Sequence, residues 1–87
     1  MLNMVIYSAA YCPYCRRARA LLDSKGASYT VRDVERDPHL WQEIAERTGR
    51  NTVPQIFIGD RHIGGCDDLF ALEQRGALDP LLNPEPH

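Results

Sequence analysis

With 87 residues and a formal net charge of −2, the length predicts one small domain and the charge gives no electrostatic case for nucleic acid or an anionic membrane. Hydrophobic residues make up 44% and charged residues 25%, ordinary for a globular chain, and no stretch approaches the length of a membrane span. Three cysteines, an odd number, argue against a structural disulfide framework. The N-terminus carries no basic segment followed by an apolar core, so a reducing, cytoplasmic location is the expectation.

In chain order, residues 3–8 predict a first strand, with an apolar centre (Met4-Val5-Ile6-Tyr7) suited to burial on both faces. Residues 13–25 predict a helix with Cys15, Ala18, Leu21 and Leu22 along one side, stopped by Gly26. Tyr29 and Val31 alternate in a second strand near residues 28–34, and the order strand, helix, strand favours a right-handed parallel unit. Asp37-Pro38 opens a second helix, Asp37 as cap and Pro38 at the first position, with Leu40, Trp41, Ile44 and Ala45 as its apolar face and Gly49 at its end. Trp41, at helical spacing with Leu40 and Ile44, is assigned to the core rather than to a ligand platform. Gln55–Ile58 and Arg61–Gly64 form a hairpin across Gly59-Asp60. A last helix opens at Gly64-Gly65-Cys66-Asp67-Asp68 and runs to about Arg75. Gly76 ends it, Leu78, Leu81 and Leu82 cover one end of the core, and residues 83–87 are a disordered tail. The expected order is βαβαββα.

Cys12-Pro13-Tyr14-Cys15 lies at the seam between the first strand and the first helix. The first turn of a helix leaves its N–H groups unpaired and carries partial positive charge, which favours a thiolate there. Pro13 suits the first helical position, and one turn brings Cys15 under Cys12 at a separation compatible with a disulfide. Cys12, nearer the helix end and the more exposed, is the expected nucleophile.

Three motifs together resemble the glutaredoxins of the small dithiol class: Cys12-Pro13-Tyr14-Cys15, Thr52-Val53-Pro54-Gln55-Ile56-Phe57-Ile58 and Gly64-Gly65-Cys66-Asp67-Asp68-Leu69. The resemblance runs from Met4 to about Leu82. It implies a thioredoxin-like α/β fold, a four-stranded mixed sheet flanked by helices, with a cis bond before Pro54 facing the two thiols. It also implies glutathione as co-substrate. Val53 would present its backbone to the cysteine moiety of glutathione like an added strand, with Thr52 and Tyr14 bordering the groove. The helix start at Gly65 and Cys66 would receive the γ-glutamyl carboxylate through free N–H groups, and Asp67 and Asp68 would pair with the ammonium. The implied reaction is reduction of protein disulfides and glutathione mixed disulfides in client proteins, with no metal expected, and nothing in the sequence predicts more than a monomer.

One departure from the family pattern is Ala9, where many glutaredoxins have a lysine three residues before the nucleophile. Its absence implies a Cys12 thiolate less favoured than in lysine-bearing members. Arg16 is the candidate to replace part of its electrostatic role, and Arg50 to take the glycine carboxylate of the ligand. Cys66 is read as a small residue beside the ligand. Two other classes compete. One is a thioredoxin-like electron donor reduced by a flavoenzyme. The other is a metal-binding module, either a structural zinc held by Cys12, Cys15, His62 and Cys66, ligands of acceptable type, or an iron–sulfur cluster held by Cys12 and glutathione across a dimer.

Overall fold

A computed structural model describes residues 3–83 of the chain. The strands are β1 (Met4–Ser8), β2 (Thr30–Asp33), β3 (Gln55–Ile58) and β4 (Arg61–Gly64), and the helices are α1 (Pro13–Ser24), α2 (Leu40–Thr48), α3 (Cys66–Gln74) and α4 (Leu78–Leu82). The sheet order is β2-β1-β3-β4. β1 runs parallel to β2 and antiparallel to β3, and β3 runs antiparallel to β4. The mixed four-stranded sheet is therefore as expected, with β1 and β3 at its centre.

The side-chain alternation of β1 explains how the sheet is buried on both faces. Met4 and Ile6 pack with Ala18 and Leu22 of α1, Ile56 and Ile58 of β3, Leu69 of α3 and Leu78 of α4. Tyr7 points the other way and joins Phe57, Val34, Leu40 and Ile44 under α2, with Trp41 partly buried against the same group. On that second face the Tyr7 hydroxyl donates to Glu43 and accepts from Arg47 at 2.8 Å, while the Arg47 guanidinium lies 3.8 Å from the centroid of the Phe57 ring. Arg32 of β2 pairs with Glu43 at 2.7 Å, which fastens the edge strand to α2.

Three elements differ from expectation. The second strand is shorter than residues 28–34, and Val31 is exposed because β2 is an edge with little of the sheet to cover it. Asp37 does accept the His39 N–H at 3.2 Å, but the residues that follow make i→i−3 bonds (Leu40 to Asp37, Trp41 to Pro38), so a tight turn precedes an α-helix that begins at Leu40. The leucines after Gly76 are a fourth short helix, giving the order βαβαββαα. Pro80 sits in its first turn, where the missing N–H has no intrahelical acceptor to lose. Lys25 at the end of α1 ties this segment down, pairing with Glu73 at 2.8 Å and Asp79 at 2.6 Å. Of the tail expected to be disordered, residues 84–87 lie outside the described residues. Among those described, no helix is long and apolar enough to cross a membrane.

Leu22, fully buried among the α1, α3 and β3 side chains, is the natural probe of this core. Leu22→Ala is expected to lower the unfolding free energy by about 2–5 kcal/mol in chemical denaturation. Val31→Ala on the exposed edge should change it by no more than about 0.5 kcal/mol.

Candidate active site

The pairing of β1 with β3 sets the site. Tyr7 lies opposite Gln55, so the end of one central strand and the start of the other meet at the same edge of the sheet. The chain leaving β1 turns through Ala9-Ala10-Tyr11 into α1, and the chain entering β3 arrives through Thr52-Val53-Pro54. The Val53–Pro54 peptide is cis, as the resemblance implies. Cys12 occupies the N-cap of α1 with extended backbone, and Pro13 takes the first position of the helix. Across the gap the Cys12 Sγ lies 3.8 Å from the carbonyl oxygen of Val53.

The two thiols have different surroundings. Cys12 is half-buried, whereas Cys15 is buried beneath it on the apolar side of α1 with Ala18 and Leu22. Burial pushes the Cys15 thiol above its ordinary value. The Ala9 N–H, donating to its sulfur at 3.5 Å, and the adjoining Ser8 hydroxyl offset part of that. Both cysteines are free, as is Cys66. Cys66 is buried at the start of α3, and burial raises its thiol too, against the lowering field of Arg17. Ala9 is fully buried against the second core group, and the loop that it begins is held from two sides. The Ala10 N–H donates to Glu35 at 3.0 Å, and Arg16 donates to the Ala10 carbonyl at 3.0 Å.

Beside Cys12 is an open cavity of about 290 Å3 lined by Tyr14, Arg50, Thr52, Val53, Pro54, Gly65, Cys66, Asp67 and Asp68. Every residue expected from the resemblance to border the ligand is thus gathered on one groove, and Arg50 joins them. The glycines explain how α3 comes so near the Pro54 turn. A Cβ on Gly65 would stand 3.3 Å from the Pro54 carbonyl oxygen, and one on Gly64, whose φ is +119°, would run into the Asp68 carboxylate. Asp68 accepts the Gly65 N–H at 2.9 Å and pairs with Arg50 at 3.0 Å, and these contacts hold its carboxyl below the ordinary value of 3.8. Asp67 is exposed and makes no ion pair among the described residues. The first-turn N–H groups of α3 after Gly65 have no intrahelical acceptor.

Two supporting residues were not singled out from the sequence. Gln55 is fully buried, donates to the Thr52 carbonyl and hydroxyl oxygens at 3.0 and 3.2 Å, and shares a hydrogen bond of 2.7 Å with His62, so it fixes the turn that carries Val53 and Pro54. Glu35 anchors the loop before Cys12 from the turn that follows β2. Glu35 carries no local signal, since it acts on backbone 25 positions away, and Gln55 is oriented by His62 from the facing strand of the hairpin. The set Cys12, Cys15, His62 and Cys66 does not form a metal site. The His62 ring is bonded to Gln55 and stacked on Phe57 under the opposite face, and among the described residues no group of three or more His, Cys, Asp or Glu could hold a metal.

A sequence model of the glutaredoxin family matches residues 4–63. This chain belongs to the glutaredoxin family. It is 55% identical over 82 residues to glutaredoxin 3 of Escherichia coli strain K12, covering 94% of this chain and 99% of that protein. It is 51% identical over 80 residues to a glutaredoxin of Pseudomonas aeruginosa, covering 92% and 95%. Among solved structures it is similar to a buckwheat glutaredoxin–glutathione complex, with a TM-score of 0.89 and 35% identity over 94% of this chain and 77% of that one. It is also similar to the glutaredoxin of Brucella melitensis, with a TM-score of 0.83 and 56% identity over 94% and 89%. Glutaredoxins are glutathione-dependent thiol–disulfide oxidoreductases, and that is the activity of this chain.

The Asp68 contacts have a pH signature. Because its folded value lies below the unfolded one, the stability it contributes is present above the unfolded value of 3.8 and is lost as pH falls through the folded value. Thermal unfolding followed from neutral to acid pH should show a smaller acid-side fall in midpoint for Asp68→Asn than for the unmutated glutaredoxin.

Proposed function

We propose that glutathione binds in the groove formed by Tyr14, Thr52, Val53, Pro54, Gly65, Cys66, Asp67 and Asp68, with Cys12 as nucleophile and Cys15 as resolving thiol. The observation that carries the proposal is the single cavity these residues share beside Cys12. Val53 offers its backbone to the cysteinyl part of the ligand, and Thr52 and Tyr14 border it. The free N–H groups opening α3 suit the γ-glutamyl carboxylate, while Asp67, exposed and without an ion pair among the described residues, suits the ammonium. Asp68 faces the same groove but already spends one oxygen on Gly65 and Arg50, so its part is to hold the helix mouth and to add negative charge. Arg50, held at the rim by that pair, is placed for the glycine carboxylate.

The chemistry follows from the unequal thiols. Cys12 thiolate attacks the glutathionyl sulfur of a mixed disulfide, the client sulfur leaves and takes a proton, and glutathione remains joined to Cys12. A second glutathione then attacks its sulfur, releasing oxidised glutathione and restoring Cys12. Alternatively Cys15 attacks Cys12, glutathione leaves, and two glutathione molecules later reduce the Cys12–Cys15 bond. Cys12, the half-buried thiol at the N-cap of α1, is the one open to client and reductant, whereas Cys15 is buried.

The clients are glutathionylated or disulfide-containing proteins, reached in the cytoplasm by a single-domain monomer spanning residues 1–87. The odd number of cysteines supports a reducing compartment.

Two variants test the site. Cys15→Ser is expected to keep substantial glutathione-dependent turnover of a glutathionylated peptide while Cys12→Ser loses it; inactivity of the unmutated protein with glutathione would sink the assignment. Asp67→Ala should raise KM for the glutathionyl substrate roughly two- to fivefold with kcat little changed, the scale of a solvent-facing ion pair. An unchanged KM would remove Asp67 from the groove.

A further inference from the structure

Ser8 ends β1 on the face that Met4 and Ile6 share, which is the face covered by α1. It is 2% exposed, and its hydroxyl oxygen is the one buried side-chain polar atom among the described residues without a well-formed hydrogen bond. The hydroxyl adjoins the sulfur of Cys15, which also receives the N–H of the next residue, Ala9, at 3.5 Å. A buried hydroxyl with nothing to bond carries an uncompensated desolvation cost, so its place in the core needs a reason. The neutral thiol is a poor acceptor, but a thiolate is a strong one, and hydrogen bonds to charged groups are the shorter and stronger kind. A donor left idle beside the thiol is therefore engaged when that thiol ionises.

We propose that Ser8 is a hydrogen-bond donor to the Cys15 thiolate and so sets how readily the second cysteine resolves the glutathione adduct. The assignment rests on the dithiol route described above. In that step Cys15 gives its proton to solvent, and the Ser8 O–H and the Ala9 N–H then both point at the charged sulfur. The thiolate attacks Cys12 Sγ and the Cys12–Cys15 bond forms. As the bond from Cys12 to glutathione breaks, its electron pair leaves on the glutathione sulfur, which takes a proton from water. The adduct is reduced and the cysteine pair oxidised, and Ser8 keeps its own proton throughout. Its hydroxyl acts only on the ionised state of a group that burial otherwise holds neutral, which makes it specific to the route through Cys15.

The test is a single-turnover experiment across pH. Reduced protein is mixed with a glutathionylated peptide, quenched in acid, and the decay of the Cys12–glutathione adduct is followed by mass. Ser8→Ala is expected to move the pH midpoint of that decay up by about one pH unit and to slow it about tenfold at neutral pH, the scale of one hydrogen bond to a charged group. In a Cys15→Ser background the same change has no resolving thiol to act on, so the double variant should turn over like Cys15→Ser alone. Ser8→Thr, which keeps the hydroxyl, should leave the midpoint near that of the unmutated protein. An unmoved midpoint in Ser8→Ala overturns the assignment, and so does an equal slowing in the Cys15→Ser background, which would mark a packing effect. An adduct that the unmutated protein itself never resolves would overturn the dithiol route before Ser8 enters.

Discussion

The antiparallel pairing of β1 with β3 is the constraint on which the site depends. With Tyr7 opposite Gln55, the sheet delivers two chain segments to one edge from widely separated parts of the sequence. One segment carries Cys12 into the head of a helix. The other carries Val53 and Pro54 in a cis turn whose carbonyl faces the sulfur. A slip of β1 by one residue would carry Ile6 to the face of Phe57 and Tyr7 to the face of Ile56, each among side chains of the wrong shape. Because both faces of the sheet are buried by unlike clusters, such a slip is strongly disfavoured, and the meeting of thiol and turn inherits that precision.

Around this edge the supporting contacts are mostly polar and satisfied. Gln55 holds the Thr52 turn from below, Glu35 and Arg16 hold Ala10 on the other side, and Asp68 closes the mouth of α3 onto Arg50. Burying a side chain such as Gln55 is tolerable because each of its polar atoms finds a partner. The thiols are treated oppositely. One is held half-open at a positive helix end, and the other is enclosed, where burial favours its proton. Two chemically identical groups three residues apart thus acquire different surroundings, which is what the proposed division of roles rests on.

Much of this arrangement was legible in the sequence because it is local. The apolar run before Cys12, Pro13 at the helix start, the glycine stops at Gly26 and Gly49 and the hairpin at Gly59 are each dictated within a few residues. The groove residues were legible through three motifs with a family likeness, and the cis bond through that likeness only. What escaped depends on contacts across the fold. Asp37 and Pro38 read equally well as a cap on an α-helix or on a tight turn. The short α4 owes its place to Leu78 in the core and to the Lys25 pairs, neither visible from residues 78–82 alone. The engagement of Asp68 with Arg50, eighteen positions away, had no local signature at all.

The enclosure of Cys15 has a consequence for the order of events. On the route proposed above, with one sulfur of the pair covered, client and reductant each act through Cys12 and cannot do so together. Each visitor has to depart, or leave only a glutathionyl fragment behind, before the next can enter. On that route the client meets the reduced enzyme and the reductant meets the adduct, so the two take turns in the manner of a double displacement. A protein of this size can thus keep electrons moving in sequence without a second docking surface, simply by having one door.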